Sequence, residues 1–107
     1  MKIWYPGKKK LTSTELEDLK KFIRSDDLEI IHYDFTKNPR FRTWAQMKKS
    51  MPLDAKYVFI KSNTTVAKIY SRSCAIPIIV GKPFKHSGGK MGRGYWRVYY
   101  KGEETHI

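Results

Sequence analysis

The strongest fold signal lies in residues 11–35, LTSTELEDLKKFIRSDDLEIIHYDF, where a capped helix precedes an apolar strand. Thr12 and Glu15 have the spacing of a capping box, in which each side chain bonds the backbone N–H of the other. Leu19 and Ile23 follow on one helical face. The pattern predicts a scaffold helix that begins after Thr12.

The second part of this stretch, LEIIHYDF at residues 28–35, carries apolar and aromatic side chains on both faces of an extended chain. Strands covered on both sides have this composition. We therefore predict a central, buried strand, in which His32 and Asp34 are satisfied core groups rather than a catalytic pair.

Further strand patterns and one more helix surround this pair. Asn38-Pro39 offers an N-cap with proline in the first helical position, and the helix ends near Met51. Strand patterns occur at residues 2–5, 57–61, 64–70, 75–80 and 95–101, with Ser62-Asn63 as a hairpin turn. The prediction is one small α+β domain, residues 1–107, with two helices on one face of a mostly antiparallel sheet. That sheet has about five strands, and the order is β-α-β-α-β-β-β-β.

The charge of the chain points to a polyanionic partner. Lys and Arg number 22 against 10 Asp and Glu, a net charge of +12, while 40% hydrophobic residues exclude a disordered chain. Residues 55–102 contain ten Lys and Arg and no Asp or Glu. A binding face explains such segregation better than uniform solubilisation does. Nucleic acid is the first expectation, an anionic membrane the second and an acidic protein the third.

Cysteine content and apolar runs bear on the compartment. Cys74 is the single cysteine, which excludes an intrachain disulfide and a cysteine-based zinc cluster. The N-terminal residues contain no apolar signal region, and the longest apolar run, residues 75–80, is far too short for a bilayer. We expect a cytoplasmic protein with no membrane association and no cofactor.

The most basic stretch is KPFKHSGGKMGRGYWRVYYKG, residues 82–102. Its loop, residues 86–94, contains four glycines, which allow backbone amides to approach an anion closely. On the strand that follows, alternation puts Trp96 and Val98 on one face and rings alternating with cations on the other. That second face is suited to stacking bases and neutralising phosphates; it comprises Tyr95, Arg97, Tyr99 and Lys101.

Two local resemblances fall in this stretch. Residues 93–100, RGYWRVYY, resemble the signature motif of RRM domains but depart from it at Trp96 and Arg97, so we predict no RRM. The pattern KP, MGRG and YW is similar to the basic glycine loop of a bacterial ribosomal protein. Both resemblances imply RNA contact by a basic loop on an aromatic strand, and neither assigns a family.

The candidate nucleic-acid contacts are the basic and aromatic side chains of this stretch, with two cations from the second predicted helix. They are Lys82, Lys85, His86, Lys90, Arg93, Tyr95, Arg97, Tyr99, Lys101, Arg42 and Lys49. The sequence identifies no catalytic residue and no metal ligand, since the D-x-K pattern at Asp54 arises easily by chance in a lysine-rich chain.

Three functions follow. The first is a non-catalytic nucleic-acid-binding protein, with RNA favoured over DNA because exposed rings suit unstacked bases. The second is a small, metal-free, toxin-like ribonuclease with His86 as general acid or base. The third is an inhibitor or accessory protein of viral or mobile-element type, docking on an acidic or nucleic-acid-binding surface of a host enzyme. A strand edge at Pro77 permits a homodimer without indicating one.

Overall fold

A computed structural model describes residues 1–37, 43–61, 64–83 and 91–107, except for the side chains of residues 82–83 and 91–95. The predicted α+β class is confirmed: three α-helices and a six-stranded mixed sheet lie within these ranges. The strands are β1 (Lys2–Pro6), β2 (Glu29–Tyr33), β3 (Ala55–Ile60), β4 (Ile78–Pro83), β5 (Met91–Tyr100) and β6 (Glu103–Thr105). The helices are α1 (Ser13–Ile23), α2 (Trp44–Met47) and α3 (Thr64–Ser71), with 3₁₀ turns at Phe35–Lys37 and Lys48–Ser50.

The strands are arranged in the order β2-β1-β3-β4-β5-β6. The first four are parallel, whereas β5 runs antiparallel to β4 and β6 antiparallel to β5. The prediction of a mostly antiparallel sheet of about five strands was therefore wrong. Parallel neighbours require a crossover between them, and the helical segments supply it.

Helix α3 replaces a predicted strand. Thr64, Thr65 and Val66 are β-branched and favour a strand locally, but the chain must cross over between the parallel strands β3 and β4. The helix buries Ala67 completely against the sheet. Tertiary packing therefore overrides local preference here.

Helices cover both faces of the sheet, so the prediction of two helices on one face was also wrong. The chain moves one way from β1 to β2 and the opposite way from β3 to β4, and right-handed crossovers then place α1 and α3 on opposite faces. Two buried clusters match these faces. Leu19 of α1 packs with Ile3 and Phe59, while Trp44 and Ala67 pack on the other face.

The centre of the parallel region is β1, not the predicted central strand. Ile3 and Trp4 are fully buried, whereas β2 lies at the edge of the sheet and contains no fully buried residue. The second predicted helix is short in the described region. It begins after its cap Thr43. The predicted cap, Asn38-Pro39, lies outside the described residues. In the ranges described, we found no helix with the length and apolar character needed to cross a membrane.

Candidate functional site

A cleft of about 870 Å³ opens at the carboxyl edge of the sheet, the edge at which the parallel strands β1 to β4 end. From β1 the chain leads to one side of the sheet and from β3 to the other, and such a reversal leaves a crevice at the carboxyl ends of the strands. The lining side chains lie at the ends of β1 and β3, follow β1, β2 or β3, or belong to α2 and α3. They are Tyr5, Pro6, Gly7, Lys8, Lys9, Phe35, Thr36, Met47, Ile60, Lys61, Val66 and Tyr70.

Three hydrogen bonds fix the segment that carries Lys8 and Lys9. The Gly7 N–H donates to the Tyr33 carbonyl at 3.0 Å, and the Gly7 carbonyl lies 2.9 Å from His32 Nε2. The Tyr5 hydroxyl donates to the Lys9 carbonyl at 2.6 Å. The backbone of this segment is therefore hydrogen-bonded to residues of both β1 and β2. The side chains of Lys8 and Lys9 are exposed.

The same contacts show the structural role of His32 and Tyr5, which hold the segment after β1. The two rings stack with centroids 4.9 Å apart, and the imidazole is hydrogen-bonded to the loop rather than to Asp34. Burial, with a smaller contribution from Glu15, raises the pKa of Tyr5 to about 12, which keeps its hydroxyl a donor. The predicted role of His32 as a satisfied group agrees with this geometry.

Gly7 is required by close approach. A β-carbon at this position would lie 2.6 Å from the Cζ and hydroxyl oxygen of Tyr5, nearer than non-bonded carbons come in proteins. Glycine therefore allows the chain to turn over the Tyr5 ring and carry its lysines into the cleft.

Lys61 enters the cleft already paired. Its ammonium lies 2.7 Å from Glu15 Oε2, and Glu15 is also the partner of Thr12 in the predicted capping box, which is confirmed. Burial alone would raise the pKa of Glu15, but hydrogen bonds from Lys61 and Thr12 outweigh it and hold the pKa below its usual range. This ion pair connects the start of α1 to the end of β3.

An aromatic stack supports another part of the lining, at Tyr70. The Tyr70 ring lies parallel to the Trp44 ring, with centroids 4.5 Å apart and an interplanar angle of 3°. Trp44 donates from Nε1 to Ser73 Oγ at 3.1 Å and packs on Trp4. Tyr70 is therefore a half-buried ring held by its neighbours at the wall of the cleft.

The face predicted on the last strand does not present the Tyr99 ring as expected. Tyr99 is 9% exposed and packs in the cluster beneath α2 and α3, because β5 lies inside the sheet with both faces covered. Arg97 pairs with Glu104 at 3.3 Å. Lys101 lies in the turn after β5, with its ammonium 5.4 Å from the Tyr100 ring centroid. The prediction that Tyr99 is available for stacking was wrong.

The other predicted contacts are only partly described. Lys49 is exposed in the 3₁₀ turn after α2. The backbones of Lys82, Arg93 and Tyr95 belong to β4 and β5, without described side chains. The remaining ones, Arg42, Lys85, His86 and Lys90, lie outside the described residues.

The predicted contacts also divide between the two edges of the sheet. Strand β4 ends at Pro83, which pairs with Met91, so the basic stretch begins and resumes at the carboxyl edge beside the cleft. Lys101 follows the far end of antiparallel β5 and therefore lies at the opposite edge. Among the predicted contacts whose backbone is described, Lys82 and Lys101 therefore lie at opposite edges.

Sequence reasoning missed the cleft. Lys8 and Lys9 are not among the predicted contacts, and Tyr70 falls in the strand predicted at residues 64–70. The available signal was a lysine close to the end of each of two strands: Lys61 follows β3 directly, and Lys8 follows β1 after Gly7. It is informative only once those strands are known to be parallel, since parallel strands end at the same edge.

The described residues of the cleft offer cationic, aromatic and apolar side chains. Within the described ranges no three His, Cys, Asp or Glu side chains come together as metal ligands. Cys74 is buried, and burial raises the pKa of its thiol, which disfavours the thiolate. No protein-family model, curated protein or solved structure matches the chain. The function is therefore inferred from the geometry of the cleft.

Proposed function

We propose that the protein binds nucleic acid without altering it chemically, RNA in preference to DNA, at the carboxyl edge of its sheet. The observation that carries the proposal is the composition of the cleft. Three lysines and the rings of Phe35 and Tyr70 line it, and none of its described lining residues is acidic.

Lys8 and Lys9 supply the attraction in this proposal. The charge of Lys61 is compensated by Glu15, whereas Lys8 and Lys9 are exposed on a fixed backbone. Lysines that neutralise phosphates release counterions, which makes binding strongly dependent on salt. The net charge of +12 adds a background attraction that does not distinguish sequence or strand type.

Half-buried rings favour RNA with unpaired bases. A duplex binder needs cations alone, whereas rings at the wall of a cleft accept bases that have left their stack. The basic stretch attached to β4 and β5 begins at the same edge, and its cations remain proposed contacts on sequence grounds. A cytoplasmic location, proposed from the lone cysteine, is compatible with this function.

The test is fluorescence anisotropy with labelled single- and double-stranded RNA and DNA at several salt concentrations. The variant Lys8→Ala/Lys9→Ala is compared with Lys21→Ala/Lys56→Ala, which removes the same charge from the end of α1 and the start of β3, away from the cleft. We expect single-stranded RNA to bind most tightly. Loss of two phosphate contacts should make the negative slope of log K against log salt shallower by about 1.4 for Lys8→Ala/Lys9→Ala. Lys21→Ala/Lys56→Ala should retain the wild-type slope.

Two results would overturn the proposal. Equal effects of both double variants would mean that only net charge matters, and a protein partner would then be sought by pull-down after nuclease treatment. RNA shortened on a gel of the same samples would instead favour the ribonuclease.

A further inference from the structure

We infer that the cleft accepts a single nucleotide unit, with its base against Tyr70 and Phe35 and its phosphate at Lys8 and Lys9. This inference rests on the proposed function and names the part of the nucleic acid that the protein recognises. It goes further because it predicts that one nucleotide binds per chain in a defined pocket, rather than that nucleic acid binds along a charged surface.

The size and lining of the cleft suit such a ligand. Its volume of about 870 Å³ lies within the range of roughly 300–1,000 Å³ typical of small-molecule sites. Met47, Ile60 and Val66 make much of the wall apolar, while the cations come from the loop after β1. Apolar walls with a few placed polar groups are the usual composition of a site that orients a flat ring by its charged end.

Tyr70 is preorganised to receive a base. Trp44 covers one face of its ring, and Trp44 itself is fixed by the hydrogen bond to Ser73 and by packing on Trp4. The part of Tyr70 that contributes to the cleft is therefore held before any ligand arrives. A ligand that stacks on a fixed ring does not have to order that ring, which favours affinity.

Lys8 and Lys9 are equally fixed at the backbone. Their segment is tied to β2 through Gly7 and to the Tyr5 hydroxyl through the Lys9 carbonyl. The lysine side chains remain free to adjust to a phosphate, but their origin relative to the cleft does not change. Because these lysines and the two rings line the same cleft, a phosphate and a base joined by one ribose can be recognised together.

The same chemistry is present in an unstacked nucleotide of an RNA strand and in a free nucleoside monophosphate. Isothermal titration distinguishes these sources with five probes: uridine 5′-monophosphate, adenosine 5′-monophosphate, uridine, inorganic phosphate and a single-stranded RNA 10-mer. We expect each monophosphate to bind with one site per chain, and more tightly than uridine or phosphate. Tighter binding of the 10-mer identifies the strand as the ligand, and tighter binding of a monophosphate identifies the free nucleotide.

Four variants assign the two parts of the ligand. Tyr70→Leu keeps an apolar side chain without a π face and should weaken monophosphate binding about tenfold. Tyr70→Phe, which keeps the ring, should bind as the wild type does. Lys8→Ala/Lys9→Ala should reduce the affinity for a monophosphate to that for uridine, and the control Lys21→Ala/Lys56→Ala should not. Urea unfolding of each variant establishes that the fold is retained.

The outcomes separate this inference from the proposed function. If neither monophosphate binds, or if phosphate alone binds as tightly, the single-nucleotide pocket is rejected. Salt-sensitive binding of the 10-mer that depends on Lys8 and Lys9 would still support nucleic-acid binding at this edge. If Tyr70→Leu and Tyr70→Phe are both weakened equally, the ring does not receive the base and the inference is likewise wrong.

Discussion

Gly7 is the single residue on which the geometry of the cleft most directly depends, because a side chain there would meet the Tyr5 ring at 2.6 Å. We expect Gly7→Ala to lower the free energy of unfolding by roughly 1–3 kcal/mol, the usual cost of overpacking. Urea unfolding measures this loss. In a Tyr5→Leu background the same substitution should cost less, since the obstructing ring is gone. An equal cost in both backgrounds would contradict the steric explanation.

The tyrosines show what can be predicted for a residue and what cannot. Alternation along the last strand correctly placed Tyr99 on one face of the sheet and Trp96 and Val98 on the other. It could not reveal that α2 and α3 cover the Tyr99 face, because local sequence carries no record of distant packing. Tyr70, one of the rings that line the cleft, falls in a segment predicted to be a strand.

Among the elements, α1 was predictable because its signal is local, and α3 was not because its helical state depends on distant pairing. The start of α1 is specified by Thr12 and Glu15, three residues apart, so its signal is local. Residues 64–66 favour a strand locally, and their helical state depends on the pairing of β3 with β4. The carboxyl edge was missed with it, since strand direction follows from the crossover that α3 provides.

A substitution at Lys68, an exposed residue in the interior of α3, tests its helical state. We expect Lys68→Gly to be less stable than Lys68→Ala by about 1 kcal/mol, the difference in helix propensity. Thermal unfolding of the two variants measures this, with Lys68→Ala as the matched control for loss of the charge. Equal stabilities would argue against a helix at this position.

The ion pair between Glu15 and Lys61 joins α1 to β3 and gives stability a pH dependence. Because the pKa of Glu15 in the folded protein lies below its usual 4.5, its contribution is complete above about pH 4.5. That contribution is lost as the pH falls through the lower, folded-state value. We expect urea midpoints to decrease in this window and Glu15→Gln to show a weaker decrease there. At pH 7 the same variant should be less stable by about 2 kcal/mol, because it loses a hydrogen bond between charged groups.

At the scale of the whole molecule, the charge of +12 opposes folding by self-repulsion. The molecule measures 34 × 29 × 27 Å, comparable to the screening length of about 30 Å at 0.01 M salt and well above about 8 Å at 0.15 M. We expect the urea midpoint at pH 7 to rise between these concentrations. Lys21→Glu/Lys56→Glu replaces a positive by a negative charge at each site and so lowers the net charge from +12 to +8. It should reduce the rise, and a midpoint that falls with added salt would contradict self-repulsion as the dominant effect.

The central position of β1 has a consequence for biosynthesis. This strand is translated before both of its neighbours, residues 29–33 and 55–60, so it acquires its second partner only after the ribosome has released β3. At typical synthesis rates residues 1–60 take roughly 3–12 s. During that interval the nascent chain carries 13 Lys and Arg against 8 Asp and Glu, a net charge of +5, and it has no cleft. Under the proposed function, selective recognition therefore begins only after Tyr70 has been made, and shorter chains attract polyanions through charge alone.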